Sequence, residues 1–360
     1  MRVAVIGPAR HPVAEPYAGG QERFTAILIR GLRERGHHVE LWARAGTIPA
    51  LADDLHVMPD TPQLSAVVSG DPNMPEPHFL SDQVAYLSVM RDLLHRNDID
   101  AVLNQSLHQL PLALSSTLRV PMVTTLHTPP FPWMEIGARL AGPASHLVAV
   151  SAALRRQWAT LRDVRVIHNG VDPAGFPMGP GGDDLAWAGR LTPEKGADIA
   201  IEAAARYGRR LRLAGPVGDI GWFEDVIRPA LGPRVEYVGA LRDGDLAEFY
   251  GQSAATLVTP RWEEPFCLVA AESQMCGTPV VGLRRGGLAE VVMLPGGVLV
   301  TAGDGESARL AAALDAVVRT DRERVGLSAR VRLSSDRTAD DYEQLLTLAR
   351  RTNGLEVSRQ

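Results

Sequence analysis

The chain passes twice through the same alternation of short apolar strands and amphipathic helices, and this repetition limits its possible folds more than any other feature. In the first half, the apolar run 3–7 leads into a helical pattern at 21–35, and a second apolar run follows at 39–43. Uninterrupted apolar runs of this length are typical of parallel strands that helices cover on both faces. Further strands of this half are predicted at residues 101–104, 122–126, 146–150 and 164–167.

The second half begins again with a strand at 185–189 and a helix at 197–207. Residues 172–183 between the halves are rich in Pro and Gly and mark the predicted domain boundary. We therefore predict an α/β protein with two doubly wound, Rossmann-like domains, residues 1–171 and 172–337, whose ligands bind in the cleft between them. The other strands of this half are predicted at residues 210–214, 235–238, 255–258, 279–282 and 298–300.

Two segments outside this pattern are also assigned. Residues 58–78 are rich in Pro, Ser, Asp and Asn, which predicts a long surface loop. Residues 337–351 have a helical pattern. The apolar side of that helix is predicted to carry Tyr342, Leu345, Leu346 and Leu348.

Composition excludes several classes of protein. Hydrophobic residues make up 45% of the 360 residues and charged residues 22%, which indicates a globular chain. The net charge of −5 gives no reason to expect a nucleic-acid partner. Cys267 and Cys276 have no metal-ligand spacing and cannot form a disulfide framework, and no apolar run approaches the length of a membrane span. These features predict a cytoplasmic protein.

Lys195 is the only lysine among 37 basic residues, and it stands five positions after Arg190 and directly before a glycine. A GC-rich genome would explain why lysine is scarce but not why the remaining one lies here. An ammonium group binds phosphate as a point charge, whereas a guanidinium group offers a planar fork. Arg190 and Lys195, between a strand and a helix start, are therefore predicted to bind a diphosphate.

Glu264 and Glu272 are eight positions apart in a segment that follows a strand and opens a helix. On one helix they would be separated by about 12 Å and about 80°, too far to share a proton but suited to two ends of an extended ligand. The amides of residues 266–268 at the helix entrance favour an anion. The alternative is that Glu263, Glu264 and Glu272 only complement the helix dipole and form an exposed helix face.

In combination these features resemble the retaining GT-B glycosyltransferases of family 4 over almost the whole chain. The resemblance is carried by the order and spacing of several short motifs. They are Gly19-Gly20-Gln21-Glu22, Thr124-Thr125-Leu126-His127, Asn169-Gly170-Val171-Asp172, Gly189-Arg190 with Lys195-Gly196, residues 235–239, Glu264 with Glu272, residues 276–281 and residues 286–290.

The resemblance implies a nucleotide-sugar donor, such as a UDP- or GDP-sugar, and no cofactor. Arg190 and Lys195 would neutralise its diphosphate, Glu264 would hold the sugar and Glu272 the ribose, and His127 would face the sugar from the N-terminal domain. The last helix, 338–351, would cross back onto that domain. The remaining donor contacts would come from Gly19, Gly20, Gly239, Leu241, Phe266, Cys267 and Leu268.

The resemblance also implies retention of configuration by front-face attack, and we recognise no metal-binding Asp-x-Asp signature in the sequence. Arg190, Lys195 and the helix N-terminus must then stabilise the leaving group. One departure from the family pattern is Cys267, where the family usually has glycine. A backbone with positive φ at that position would strain a cysteine.

Two other functions remain open at this point. A non-catalytic sugar-nucleotide or glycan-binding protein would be favoured by loss of a charged site residue. All four charged residues are present, namely Arg190, Lys195, Glu264 and Glu272. A phosphorylase with pyridoxal phosphate would need a Schiff-base lysine, and Lys195 is already assigned.

The acceptor is expected to be a small molecule, a lipid or a glycan that contacts the loops at about 8–20 and 58–80. Weak peripheral membrane contact is a further possibility, although a solvated basic face is the simpler explanation. The basic residues concerned are Arg30, Arg33, Arg35, His37, His38 and Arg44.

Overall fold

The computed structural model describes residues 1–357 except residues 70 and 162, with side chains described as far as residue 353. Within this part of the chain, a sheet of seven parallel strands has the order β3-β2-β1-β4-β5-β6-β7. Its strands are β1 (Arg2–Ile6), β2 (His38–Ala43), β3 (Asp54–Val57), β4 (Ala101–Asn104), β5 (Met122–Leu126), β6 (Ser145–Ala149) and β7 (Arg165–Val166). Its helices are α1 (Gly20–Glu34), α2 (Ala66–Ser69), α3 (Pro77–Leu94), α4 (Gln109–Ala113), α5 (Pro132–Leu140) and α6 (Ala152–Gln157).

The second sheet has six described parallel strands in the order β10-β9-β8-β11-β12-β13. Its strands are β8 (Leu185–Ala188), β9 (Leu211–Ala214), β10 (Val235–Tyr237), β11 (Ala255–Val258), β12 (Val280–Leu283) and β13 (Gly297–Val300). The helices that follow are α7 (Ala197–Tyr207), α8 (Ile220–Trp222), α9 (Asp243–Gly251), α10 (Leu268–Met275), α11 (Leu288–Val291), α12 (Glu306–Val317), α13 (Arg322–Leu333) and α14 (Ser335–Val357).

Both sheets are buried on their two faces, as the continuous apolar strands predict. In β1, Val3 and Val5 belong to one hydrophobic core, whereas Ala4 and Ile6 belong to another. Each fully buried aliphatic side chain of this size contributes about 1.5–3 kcal/mol relative to exposure. The prediction of two Rossmann-like domains with parallel sheets is confirmed.

Two parts of the first half differ from the prediction. Strand β3 was not predicted, because its sequence Asp-Leu-His-Val alternates polar and apolar residues at the sheet edge. The prediction of a loop over 58–78 is wrong at two places, since α2 and the start of α3 lie within it. Pro77 lies in the first turn of α3. Backbone N–H groups in a first turn make no intrahelical hydrogen bond, so the absence of this group in proline costs nothing there.

The last helix, α14, packs on α1, and its buried residues Tyr342 and Leu346 join the core beneath the first sheet. The hydroxyls of Tyr342 and Thr125 are 2.8 Å apart. Leu348, predicted on the apolar side, is 44% exposed, and Ala349 is buried instead. Positions 342, 345, 346 and 349 follow the helical spacing, whereas 348 falls on another side.

The chain passes between the two sheets at two places that lie side by side. The Val171 amide donates to the Leu333 carbonyl at 2.8 Å, and the Ser335 amide donates to the Val171 carbonyl at 2.9 Å. A Cβ on Gly170 would stand 2.5 Å from the Ser335 Cα, so only glycine fits beside the second crossing. The bounds 171/172 and 337 remain predictions.

Candidate active site

A cleft of about 870 Å³ lies between the two sheets, lined by residues just beyond the strands. Pro8 lies beyond β1, His127 beyond β5, Gly189 beyond β8 and Gly215 beyond β9. In doubly wound sheets, ligands bind at this carboxyl edge. The predicted site residues that line the cleft are Gly19, Gly20, His127, Arg190, Lys195, Leu241, Glu264, Phe266, Cys267, Leu268 and Glu272.

Gly239, also predicted for the donor site, lies one position from the lining residue Ala240. Its φ of +84° is a conformation that favours glycine. Its carbonyl accepts a hydrogen bond from the Gly215 amide at 2.8 Å, which joins the ends of β9 and β10. The backbone of 239–241 is thereby fixed at the edge of the cleft.

Lys195 ends a short 3₁₀ turn between β8 and α7, and its ammonium group contacts the carboxylate of Glu264. The distance from Nζ to Oε1 is 2.5 Å, and the indole N–H of Trp262 donates to the same oxygen at 2.8 Å. The ammonium also lies 4.7 Å from the centroid of the Trp262 ring. Trp262 was not predicted, although its position two residues before Glu264 was the available signal.

Arg190 lies beside Gly19, the residue that immediately precedes α1. A Cβ on Gly19 would come within 3.5 Å of a guanidinium nitrogen of Arg190. On its other side, a Cβ on Gly218 would stand 2.5 Å from the Arg190 Cδ. The two cations that were predicted to bind one diphosphate therefore have different neighbours in the cleft. Arg190 lies beside Gly19, and Lys195 lies beside Glu264.

The N-termini of α1 and α10 meet at the same part of the cleft. A Cβ on Gly20, the first residue of α1, would be 3.4 Å from the side chain of Leu268, the first residue of α10. The unpaired amides of a first helical turn attract anions. Glu22 in α1 is only 5% exposed, and this burial raises the pKa of its carboxyl.

The structure corrects the predicted geometry of Glu264 and Glu272. Helix α10 begins at Leu268, so Glu264 lies in the preceding loop, and the helical offset calculated from the sequence does not apply. Both carboxylates nevertheless face the cleft, at 6% and 2% exposure. The alternative that Glu264 and Glu272 lie on an exposed helix face is therefore wrong.

Glu272 contacts an arginine of the other domain that the sequence did not single out. Its Oε1 lies 2.5 Å from Nη1 of Arg23 in α1. Its Oε2 lies 3.4 Å from the Tyr250 hydroxyl. The pair joins residues 249 positions apart, which no local pattern could indicate.

His127 is half-buried at the end of β5, with its Nε2 2.8 Å from Oε1 of Gln105. Its ring lies edge-on to Phe24, with 5.4 Å between the centroids. Burial lowers the pKa of the imidazole to about 3. His127 is therefore neutral at physiological pH and can exchange hydrogen bonds but supplies no positive charge.

Two family models together match most of the chain. The model described as Glycosyltransferase Family 4 matches residues 18–174, and the model described as Glycosyl transferases group 1 matches residues 182–320. D-inositol 3-phosphate glycosyltransferase 2 of Catenulispora acidiphila is 30% identical over 366 residues, 81% of each chain. The chain belongs to glycosyltransferase family 4. It is thus an enzyme that uses a nucleotide-sugar donor.

Other relatives of this family 4 glycosyltransferase agree in length and fold. Glycogen synthase of Mycobacterium tuberculosis is 27% identical over 387 residues, which cover 93% of this chain and 91% of the synthase. Anabaena HepE, solved in complex with UDP-glucose, has a TM-score of 0.74 at 20% identity, with 96% and 99% of the chains covered. The expected GT-B fold is confirmed.

The glycosyltransferase contains two Asp-x-Asp sequences that the sequence analysis overlooked, Asp98 with Asp100 and Asp243 with Asp245, and arginines contact both. Asp98 pairs with Arg96 at 2.7 Å, and Asp243 pairs with Arg23 at 2.6 Å. A third acidic cluster, His38 with Glu40 and Asp54, could offer a cation three ligand atoms. It lies in β2 and β3, outside the residues that line the cleft, and Arg2 and Arg96 both contact Glu40.

The basic residues considered for membrane contact are largely paired with carboxylates. Arg30, the exception among them, lies 3.4 Å from the Tyr17 hydroxyl. No helix in the described part of the glycosyltransferase is both long and apolar enough to cross a membrane. The pairs are Arg33–Asp53 at 3.0 Å, Arg35–Asp340 at 2.6 Å, His37–Glu343 at 3.0 Å, His38–Asp54 at 2.9 Å and Arg44–Asp60 at 2.5 Å.

One of the two loops predicted to contact the acceptor lines the cleft. Residues 8–11 and 16–20 contribute to its wall, whereas the described residues of 58–80 do not. Helix α3 supplies Asp82 and Tyr86 there instead.

Cys267 has a positive φ, the backbone conformation that is expected to strain a cysteine. Its φ is +85° and its ψ is 77°, immediately before α10. Burial raises the pKa of its thiol, so the group stays protonated. Left-handed backbone at a residue with a Cβ costs on the order of 1–2 kcal/mol.

Cys267→Gly is expected to be more stable than Cys267→Ala by about 1 kcal/mol, because both remove the sulfur but only alanine keeps the strained Cβ. Chemical denaturation of the two purified variants measures this difference in the free energy of unfolding. A more stable alanine variant would show that the position imposes no such strain.

Proposed function

We propose that this glycosyltransferase transfers the sugar with retention of anomeric configuration, by a front-face mechanism that needs no metal ion. The convergence of Arg190, Lys195 and the first turns of α1 and α10 in one cleft carries the metal-independent part of the proposal, and retention is inferred from the resemblance to the retaining enzymes of family 4. Cations and helix N-termini would stabilise the negative charge that grows on the leaving diphosphate.

The donor would lie along the cleft with its base near 239–241 and its ribose hydroxyls on Glu272. Glu264, fixed by Lys195 and Trp262, would accept hydrogen bonds from hydroxyls of the sugar. The anionic diphosphate would then lie between the sugar and the ribose, within reach of Arg190 and Lys195 in the cleft wall.

In the proposed step, the bond between the anomeric carbon and the phosphate oxygen breaks, and its electron pair stays on the diphosphate. The acceptor oxygen forms the new bond on the same face, and its proton passes to the departing phosphate oxygen. An inverting reaction would need a base on the opposite face. The neutral, weakly basic imidazole of His127 suits a hydrogen bond to the sugar better than that role.

The acceptor is proposed to be a small molecule, lipid or glycan with a free hydroxyl, bound against Asp82 and Tyr86 on the N-terminal side. The names of the relatives suggest an inositol phosphate and an α-glucan as the first acceptors to try.

A cytoplasmic location is also proposed, because Cys267 and Cys276 are free thiols, which suits a reducing compartment.

The test begins with a thermal-shift panel of UDP-, GDP- and dTDP-sugars, because a bound donor raises the melting temperature by mass action. The best α-linked donor is then incubated with each acceptor, with and without EDTA. We expect an α-linked product whose yield EDTA does not change, and proton NMR of the anomeric coupling measures it.

A β-linked product from an α-donor would contradict retention, and loss of activity with EDTA would contradict metal independence. Tight donor binding with neither transfer nor hydrolysis of the donor would instead favour the non-catalytic binding protein.

A further inference from the structure

Arg23 extends from α1 of the N-terminal half into the C-terminal half. Its Nη1 lies 2.5 Å from Oε1 of Glu272, and its Nη2 lies 2.6 Å from Oδ1 of Asp243. The arginine is only 9% exposed, and Glu272 is 2% exposed. A single buried guanidinium group therefore joins α1 to both α9 and α10 across the cleft.

Two aromatic rings lie beside the buried guanidinium group of Arg23. The guanidinium carbon lies 5.4 Å from the centroid of the Tyr17 ring and 5.8 Å from that of Phe176. Without Arg23, the carboxylates of Glu272 and Asp243 would remain in the cleft wall without their shared cation. Truncating one partner of a buried charge pair is costly because the other charge is left unpaired.

Arg23 leaves part of the Glu272 carboxylate available. An ionised carboxylate offers about four acceptor positions. Arg23 uses one on Oε1, and the Tyr250 hydroxyl approaches Oε2 at 3.4 Å. The free positions are enough for the two adjacent hydroxyls of a ribose, so the arginine need not leave when a nucleotide binds.

We propose that Arg23 is a positioning residue for the donor: it orients the Glu272 carboxylate toward the ribose. The inference rests on the proposed role of Glu272. It assigns no contact with the sugar or with the reacting atoms to Arg23 itself. Arg23 is expected to act on nucleotide affinity through the carboxylate that it contacts.

The experiment compares Arg23→Met, Glu272→Gln and the double variant by calorimetry with the best-binding of UDP, GDP and dTDP. Arg23→Met is expected to raise the Kd at least ~10-fold, because charge-assisted hydrogen bonds depend on an aligned carboxylate. The double variant is expected to bind no more weakly than Glu272→Gln alone. A merely structural arginine would give additive effects in this cycle.

Arg33→Met is the matched control, since Arg33 lies on the same helix and pairs with Asp53 within the N-terminal half. It is expected to bind the nucleotide like the wild type. Arg23→Lys keeps the charge without the fork and is expected to restore affinity partly. It also serves as the test variant if Arg23→Met does not fold.

Three outcomes separate the explanations. Unchanged or tighter binding by the Arg23 variants, while Glu272→Gln weakens binding, would overturn the positioning role and leave the proposed function intact. Additive losses in the double variant would also overturn it. No effect of Glu272→Gln on the Kd would overturn the assignment of Glu272 to the ribose. The positioning role of Arg23, which rests on that assignment, would then fail as well.

Discussion

Lys195→Ala is expected to lower kcat by about 10²–10³-fold or more, to the point where turnover is hard to detect, because it removes one of the two side-chain cations assigned to the leaving diphosphate. It also removes the ammonium group that holds Glu264 Oε1 at 2.5 Å. Donor affinity should fall as well, since a phosphate loses a charged partner. Steady-state kinetics with the donor found by thermal shift measures both effects.

Lys195→Arg should recover only part of the activity, because the planar guanidinium is bulkier and directs its donors differently. Arg206→Ala is the control, since Arg206 is exposed on α7 and contacts Glu202 one helical turn away. If Lys195→Ala transfers sugar within about threefold of the wild type, well short of the loss expected for a charge at the reacting centre, then base composition is the better explanation of this lysine.

The fold was largely predictable because apolar strands carry their own signal. Strands β4, β5 and β11 begin and end where the sequence placed them. Strand β3 escaped prediction because an edge strand needs few apolar residues, and Asp54 and His56 make it polar. Helix α3 was missed because the Pro- and Asp-rich segment before it obscured its start.

The sequence indicated several residues that line the cleft, but not the contacts between them. Local motifs indicated Lys195 and Glu264, but their contact joins positions 69 apart and depends on how two loops fold beside α10. Arg23 was not singled out, since it is one of three arginines in an amphipathic helix and its position directly after the Gly19–Glu22 motif does not indicate its partners. Its contacts with Asp243 and Glu272 follow only from the packing of one domain against the other.

Glu264→Gln is expected to act mainly on kcat, lowering it by about 10²-fold, the size of loss typical of a misplaced substrate. The glutamine keeps the shape of the side chain and can still accept the Trp262 N–H, but it no longer carries the charge that attracts Lys195. The sugar would then bind but would lie less well aligned with the acceptor. Glu272→Gln is expected to raise the donor KM instead, because it weakens binding to a part of the donor that does not react.

The comparison of these two variants tests the direction of the donor in the cleft. Glu263→Gln serves as a control, because Glu263 is exposed and its carboxylate accepts the Gly286 amide rather than the Trp262 indole. If Glu264→Gln changed only nucleotide affinity and Glu272→Gln changed only kcat, the donor would lie reversed, with its sugar beside Tyr250 and its base beside Trp262. The orientation proposed here requires the opposite split, because the carboxylate next to Lys195 must face the sugar whose bond to the diphosphate breaks.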